Sequence, residues 1–237
     1  ADLMILFTRF RELPDHQMRH LDAYIQSGKP IFGIRTATHA FRNRSGPYTK
    51  WQFRSKVAGF EGGFGRAVLG ETWISHHGHH GQESTRGLIA PEARSHPITR
   101  GIRDGDIWGP TDVYTVRLPL LPGCEPLVLG QVLAGMAPGD APVVGEKNDP
   151  MMPVVWTKEF TGREGKPSKV ITTTMGASVD LDNEGLRRLV VNGVFWGLGL
   201  DVPENADVSY VSPFEPTFYG NMKDKTYWPK KGLMPED

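Results

Sequence analysis

The residues with the most chemistry at their disposal are packed into positions 73–81, Trp-Ile-Ser-His-His-Gly-His-His-Gly. Four of the chain's eight histidines fall within positions 76–80. Imidazole titrates near neutrality and binds metals, so such a cluster suits acid/base work or metal ligation. A short apolar stretch precedes it and glycine ends it. That pattern predicts a strand end opening into a loop, where α/β folds place their chemistry. In an extended segment alternate side chains share a face. His77 and His79 then point one way, and His76, with His80 if the turn permits, the other. His77 and His79 are the first candidates for catalytic acid/base work and for ligation of a divalent metal such as zinc. No helical His-Glu-x-x-His spacing or thiolate supports a metal, so no cofactor is required by any motif. His96 and Asp112, both placed in loops, are the candidate third members of a catalytic or metal-binding group. The competing reading of the whole stretch is a solvated polar loop.

Other residues are candidates to hold a substrate. The apolar run 29–34 predicts a strand, and Arg35 and His39 follow it on a sharp turn into a helix. A guanidinium there could hold a carboxylate, a phosphate or a sugar hydroxyl; the alternative is a structural ion pair. His39 is either a base facing the crevice or a histidine satisfied beneath it. Trp108 and Tyr114 flank Asp112. Aromatic faces beside a carboxylate suit a sugar, whose C–H face stacks on the ring while the carboxylate takes hydroxyls; core packing is the alternative. Arg42, Arg44 and Arg54 interleave with Tyr48, Trp51 and Phe53, a composition that can bind nucleic acid; the neutral overall balance favours a solvated face or intersubunit ion pairs instead. Gly62-Gly63-Phe64-Gly65 lacks the Gly-Lys-Ser/Thr ending of a phosphate loop, which argues against nucleotide binding. His16 and His20 sit four apart on a helix and read as polar-face residues.

The elements that must position these groups follow from pattern and composition. The 237 residues suffice for one large domain with a sizeable core. Basic and acidic residues number 27 each, so no net charge draws the chain to nucleic acid or an anionic membrane. The one cysteine, Cys124, rules out an internal disulfide framework. No apolar run approaches the roughly 20 residues that span a bilayer, and no signal peptide is evident; the compartment stays open between cytoplasm and periplasm. A homo-oligomer is also left open.

Residues 2–8 read as a strand typical of one buried on both faces, with a native start at Ala1 and a strand at a sheet edge as the alternative. Residues 13–28 form an amphipathic helix with Pro14 at its start and Gly28 as its stop. With strand 29–34 this makes a βαβ unit of parallel strands. Residues 42–66 read as a long loop with a short helix near 65–69, and 88–100 as a loop. Strands are expected at 113–118, 127–133, 153–160 and 169–175, the last two as a hairpin. A second helix spans 182–198, with glycines permitting close approach to a sheet. From 203 onward proline and scattered aromatics, Phe214, Phe218, Tyr219, Tyr227 and Trp228 among them, predict an extended tail packed on a domain of residues 1–202.

The run Pro30-Ile-Phe-Gly-Ile-Arg-Thr-Ala-Thr-His39 resembles the nucleophile elbow of the class I glutamine amidotransferase-like superfamily. There the residue after Gly-Ile is the catalytic cysteine; here it is Arg35. The comparable late strand ends Thr-Thr-Met-Gly-Ala177, without the superfamily's histidine. Thiolate and base are both missing, which excludes a glutaminase mechanism at these positions. Within the superfamily the chain resembles the ThuA-like (trehalose-utilisation) family over about residues 2–202. The resemblance is carried by Gly33-Ile34, Phe60-Glu-Gly-Gly-Phe64, the histidine cluster, Ser95-His-Pro-Ile-Thr-Arg-Gly-Ile102, Thr111-Asp-Val-Tyr114, the strand end at Gly176 and the helix through 192–196. It implies a flavodoxin-like, doubly wound, mostly parallel sheet with a hairpin at one edge, and a role in carbohydrate catabolism. Many members carry histidine where this chain has Ala177. The family also begins with an earlier βαβ portion, so a preceding stretch is expected to be absent here.

Three functional readings remain open at this point. One is an enzyme acting on a sugar or keto-sugar derivative, such as an oxidised disaccharide, by histidine-assisted hydrolysis, elimination or isomerisation. His77 or His79 would be its base, Asp112 or His96 the orienter, and Arg35 and Trp108 the substrate grip. The second is a non-catalytic carbohydrate-binding or assembly module, and the third a metal-dependent hydrolase. The partner expected in each case is a small-molecule carbohydrate, with neither nucleic acid nor membrane.

Overall fold

The structure, a computed structural model, describes residues 1–217, 224, 226–230 and 232. Phe218 and Tyr219 lie outside the described residues, as does the side chain of Trp228.

Strand β1 (Met4–Leu6), helix α1 (Asp15–Gln26) and strand β2 (Ile31–Ile34) form the expected crossover, and the two strands pair in parallel. Met18 and Ile25 of α1 are fully buried, while His16 and His20 are exposed on its outer face. Helix α2 (Gly63–Ala67) sits within the long loop. Strands β3 (Thr85–Ile89), β4 (Ile107–Gly109), β5 (Glu125–Val132), β6 (Met152–Thr161) and β7 (Pro167–Thr173) follow, then helix α3 (Glu184–Gly197) and the short α4 (Tyr227–Lys230).

The seven strands make one sheet in the order β1-β2-β7-β6-β5-β3-β4. Only β1–β2 and β2–β7 are parallel pairings; β7–β6, β6–β5, β5–β3 and β3–β4 are antiparallel. The mixed α/β architecture is consistent with a flavodoxin-like fold, but the expectation of a mostly parallel sheet needs correction. The β6–β7 hairpin is not at an edge. Its second strand pairs with β2 through its free side, so the hairpin is built into the middle of the sheet and reverses the strand direction there.

Two local expectations also change. Residues 85–89 form a strand that extends into the stretch read as loop; Gly87 lets Ile107 and Val128 close on it from both neighbours. Residues 113–118 are not a strand, and Tyr114 makes only an isolated antiparallel bridge to His76. Of the two readings of strand β1, the described residues place it at a sheet edge, with Ile5 exposed on it and Phe7 exposed just after it.

Alternation along the strands divides the core in two. Phe32, Ile34 and Ile171 face Leu186 and Leu189 of α3, whereas Ile31 and Val170 face α1 and α2. Gly193 and Gly197 bring α3 against Phe32 and Ile171; an added Cβ at Gly193 would lie 2.8 Å from the Phe32 ring. The long loop is anchored by Trp51, fully buried and edge-to-face with Phe60 and Phe64. Its indole N–H donates to Asp22 of α1 at 2.9 Å. Residues 202–210 run along α3, where Arg187 and Arg188 donate to the carbonyls of Val208 and Ala206. No described helix is long and apolar enough to cross a membrane.

Candidate active site

The three parallel strands all end at one rim of the sheet, and a cavity of about 620 Å³ opens there. It is bounded by residues that follow β1 (7–11), β2 (35, 36 and 39) and β7 (177–179), together with Trp73, His76, His80, Tyr114 and Thr217. Crevices at the carboxyl ends of parallel strands are where α/β sheets take ligands.

Arg35 occupies the elbow with φ of 45°, a left-handed conformation unusual for a side-chain-bearing residue. Its guanidinium is buried and heavily engaged. Nη1 donates to the main-chain oxygens of Asp112 at 2.9 Å and Thr174 at 2.6 Å. Nη2 donates to Asp112 Oδ1 at 3.3 Å, and the guanidinium carbon lies 4.0 Å from the Tyr114 ring centre. Arg35 thereby ties the ends of β2 and β7 to the loop that carries Asp112.

Asp112 is fully buried beneath the cavity floor. Burial raises the pKa of its carboxyl, but the Arg35 charge and hydrogen bonds from His80 and His76 outweigh that and hold it below the usual carboxylate range. The ionised carboxylate is an acceptor only, so both rings facing it must donate. His76 Nδ1–H donates to Oδ2 at 2.5 Å, and His80 Nδ1–H donates to Oδ1 at 2.8 Å. The two imidazole centres are 4.9 Å apart.

The loop geometry that produces this was half visible in the alternation of the segment. The bridge between His76 and Tyr114, with the N–H groups of His77 and Gly78 both donating to Val113 O, lays residues 75–78 along 113–115. His76, Gly78 and His80 then fall on the Asp112 side. Gly78 provides the space, since a Cβ there would lie 3.2 Å from Asp112 Cβ. A tight turn, with Gln82 and Glu83 N–H donating to His79 O, closes the loop.

The odd-numbered histidines, preferred on sequence, go elsewhere. His77 Nε2 meets the Lys147 carbonyl at 3.0 Å. His79 is exposed, and its backbone N–H donates to Glu83 Oε2 at 2.6 Å, a carboxylate gripped also by Lys147. Neither lines the cavity. The even pair faces Asp112 because the 113–115 bridge, rather than a strand end, sets the orientation.

His39 forms part of the cavity floor and is buried among Phe10, Trp73 and Tyr114. Burial first, then the charges of Arg9 and Arg35 and the nearby His76, push its pKa down to about 3, so it is neutral at ordinary pH. Tyr114 is a buried wall of the cavity, packed on Arg35.

His96 and Trp108 are not brought to the site. His96 Nδ1 accepts from Ile98 N–H at 3.1 Å, capping the 3-10 turn at Pro97–Thr99, and its ring packs on Trp196 of α3. Burial lowers its pKa. Trp108 lies on β4 and donates to Ser84 Oγ at 3.2 Å, away from the cavity.

One residue that sequence reasoning passed over positions the centre. Asp180 is fully buried after β7. It accepts from Thr111 N–H and Oγ1 at 3.2 and 2.7 Å, and from Gly176 and Ala177 N–H at 2.9 and 3.0 Å. It therefore clamps the residue next to Asp112 onto the end of β7. Only its place just after a strand end hinted at this.

Fold and site together define an α/β protein with its pocket at the parallel strand ends and an arginine, not a thiol, at the elbow. The chain belongs to the ThuA family (Trehalose utilisation), whose model matches residues 1–197. Among solved structures it is similar to a ThuA-like protein from Parabacteroides merdae ATCC 43184, at 14% identity and a TM-score of 0.51 over 85% of this chain and 72% of that one. A ThuA-like protein from Bacteroides uniformis ATCC 8492 matches at 15% identity and a TM-score of 0.47, over 83% and 69%. At these identities the first likeness speaks to the fold alone. No curated protein matches the chain.

Proposed function

We propose that this protein acts on a sugar or keto-sugar derivative in carbohydrate catabolism, by proton transfer through His76 oriented by Asp112. One observation carries this reading: two cavity-facing imidazoles share a single buried carboxylate at the ends of the parallel strands. In the neutral ring of His76, Asp112 selects the Nδ1–H tautomer, in which Nε2 is the atom free to accept a proton. Nε2 accepts a proton from the water that attacks the substrate in a hydrolysis, or from a carbon next to a keto group in an elimination or isomerisation. Asp112 stabilises the imidazolium that forms, and the ring returns the proton to the leaving oxygen or the neighbouring carbon. Hydrolysis, elimination and isomerisation all use that step. Tyr114, Trp73 and Phe10 offer aromatic walls for the C–H face of a sugar. The elbow arginine serves the site by keeping Asp112 ionised, and three of its five N–H donors go to protein acceptors.

The test is turnover of keto-disaccharides and their parent sugars, followed by NMR, with wild type and His76→Ala. A loss of about 100-fold or more in kcat/KM is expected for the variant, in the range general acid/base catalysis contributes. Turnover by His76→Ala at the wild-type rate would refute the assignment. Binding without any turnover by wild type would leave a carbohydrate-binding module.

A second reading has its own observation. Ligand atoms of His76, His80 and Asp112 all lie within 4.8 Å of one another. Two imidazoles and a carboxylate fit a divalent ion in donor type, and three protein ligands leave positions open for water or substrate. Held there, a zinc-like ion supplies Lewis acidity and an activated water. Calorimetric titration with zinc tests this: about one equivalent is expected to bind wild type, and His76→Ala with His80→Ala is expected to abolish it. Less than about a tenth of an equivalent on wild type removes the reading.

A further inference from the structure

We infer that the substrate of this cavity carries an anionic group, a carboxylate or a phosphate, received by Arg9 and Arg11. The inference rests on the reading of the cavity as a carbohydrate site and names the class of sugar it takes.

The charge around the cavity is one-sided. Among the described residues three arginines (Arg9, Arg11 and Arg35) and three histidines line it, and no aspartate or glutamate does. Arg35 is matched by Asp112 directly beneath it. Arg9 and Arg11, which follow the end of β1, have no ion pair and no side-chain hydrogen bond among the described residues. Arg9 stacks only on the Phe10 ring, 5.0 Å from its centre. Both side chains are exposed at the mouth, so they keep their freedom to close on a ligand. The field of Arg9 reaches the floor: after burial, it is the largest influence holding His39 neutral. A cleft lined by one sign of charge concentrates ligands of the other sign.

Two further groups in the same wall want partners. Thr8 Oγ1, beside Arg9, and Trp73 Nε1, beside the histidines, are buried polar atoms without a hydrogen-bond partner among the described residues. Buried polar groups are nearly always satisfied, so an orphaned hydroxyl and an orphaned N–H donor lining one cavity point to a ligand that is itself polar. A sugar acid or sugar phosphate meets all of these demands. Its anion pairs with the guanidiniums through charge-assisted hydrogen bonds, and its hydroxyls meet Thr8 and Trp73.

The experiment is calorimetric titration of the full chain with glucuronate, glucose 6-phosphate, glucose and inorganic phosphate, at low and high salt. At least one of the two anionic sugars is expected to bind about 10- to 100-fold more tightly than glucose, the gain a charged hydrogen-bonding pair supplies. That advantage is expected to shrink with added salt and to vanish in Arg9→Gln with Arg11→Gln, a pair of surface changes that leaves the core untouched. Which of the two anions wins separates a carboxylate from a phosphate. Glucose binding as tightly as both anions, no measurable binding of either anion, a preference that survives the double variant, or inorganic phosphate equalling glucose 6-phosphate would each overturn the inference. A neutral keto-sugar turned over through His76, with the arginine variant unimpaired, would sink this inference and leave the catalytic reading standing. Anion binding lost in the arginine variant, with turnover indifferent to His76→Ala, would do the reverse.

Discussion

Arg35 holds Asp112 twice, by its carboxylate at 3.3 Å and by its own main-chain oxygen at 2.9 Å. One guanidinium so fixes both the position and the charge of the residue on which the imidazoles converge. Removing it leaves a fully buried carboxylate without its strongest partner. Arg35→Met is therefore expected to destabilise the protein by about 3–5 kcal/mol, read by urea denaturation. Arg35→Lys should recover only part of this, because an ammonium cannot reach the carboxylate and two carbonyls with the geometry of a planar fork. Equal stability of Arg35→Met and wild type would show that Asp112 does not depend on the pair.

Asp180 is expected to matter nearly as much, although it does not itself line the cavity. Asp180→Ala orphans the four donors it satisfies around Thr111, Gly176 and Ala177. At about 1–3 kcal/mol for each buried group left unmade, with partial relaxation, a total loss of about 3 kcal/mol or more follows. For a chain of this size that lowers Tm by roughly 6–12 °C. Gly109→Ala strikes the same clamp from the other side, since its Cβ would lie 2.4 Å from Asp180 Oδ1. A Tm within a degree of wild type for both variants would contradict the clamp.

Acid should unfold the protein partly through His39. Its pKa falls from 6.5 in the free side chain to about 3 in the folded protein, chiefly by burial. Between those values the unfolded chain binds a proton that the folded one refuses. The stability present above about pH 6.5 is then lost as pH falls toward 3, at up to about 1.4 kcal/mol per pH unit for this one group. His39→Gln, which cannot titrate, should give a flatter stability profile over that window. Parallel profiles for the two proteins would mean that His39 takes up its proton without unfolding.

Within the histidine cluster the even and odd positions should behave differently. His76→Ala and His80→Ala remove donors to Asp112, whereas His77→Ala removes only a contact to the Lys147 carbonyl and His79→Ala an exposed ring. Ligand affinity in calorimetry is expected to fall about tenfold or more in the first pair, through loss of charged hydrogen bonds at the cavity floor. It should stay within about twofold in the second, as for surface substitutions generally. The opposite ranking would restore the odd positions as the functional ones.

The long-range chemistry of this chain was written in local pattern wherever a single element decides it. The βαβ start, the elbow after Ile34, the β6–β7 hairpin and the glycine-faced α3 all follow from period and punctuation. So does the division of the histidine stretch into two faces, because alternation needs no tertiary information. Which face meets Asp112 did need it. A bridge between residues 36 and more positions apart, His76 with Tyr114 and Asp112, chose the even side, and no local signal encodes that pairing. Sheet order was equally hidden: the hairpin reads the same whether it ends at an edge or is built into the middle, since its second partner strand lies more than a hundred residues earlier in the chain. His96 and Trp108 looked like site residues because their types suit a site, yet packing on α3 and pairing with β3 hold them away from the cavity. Residue type and spacing thus decided what the chain has to work with, and contacts between distant segments decided which of those groups share one carboxylate.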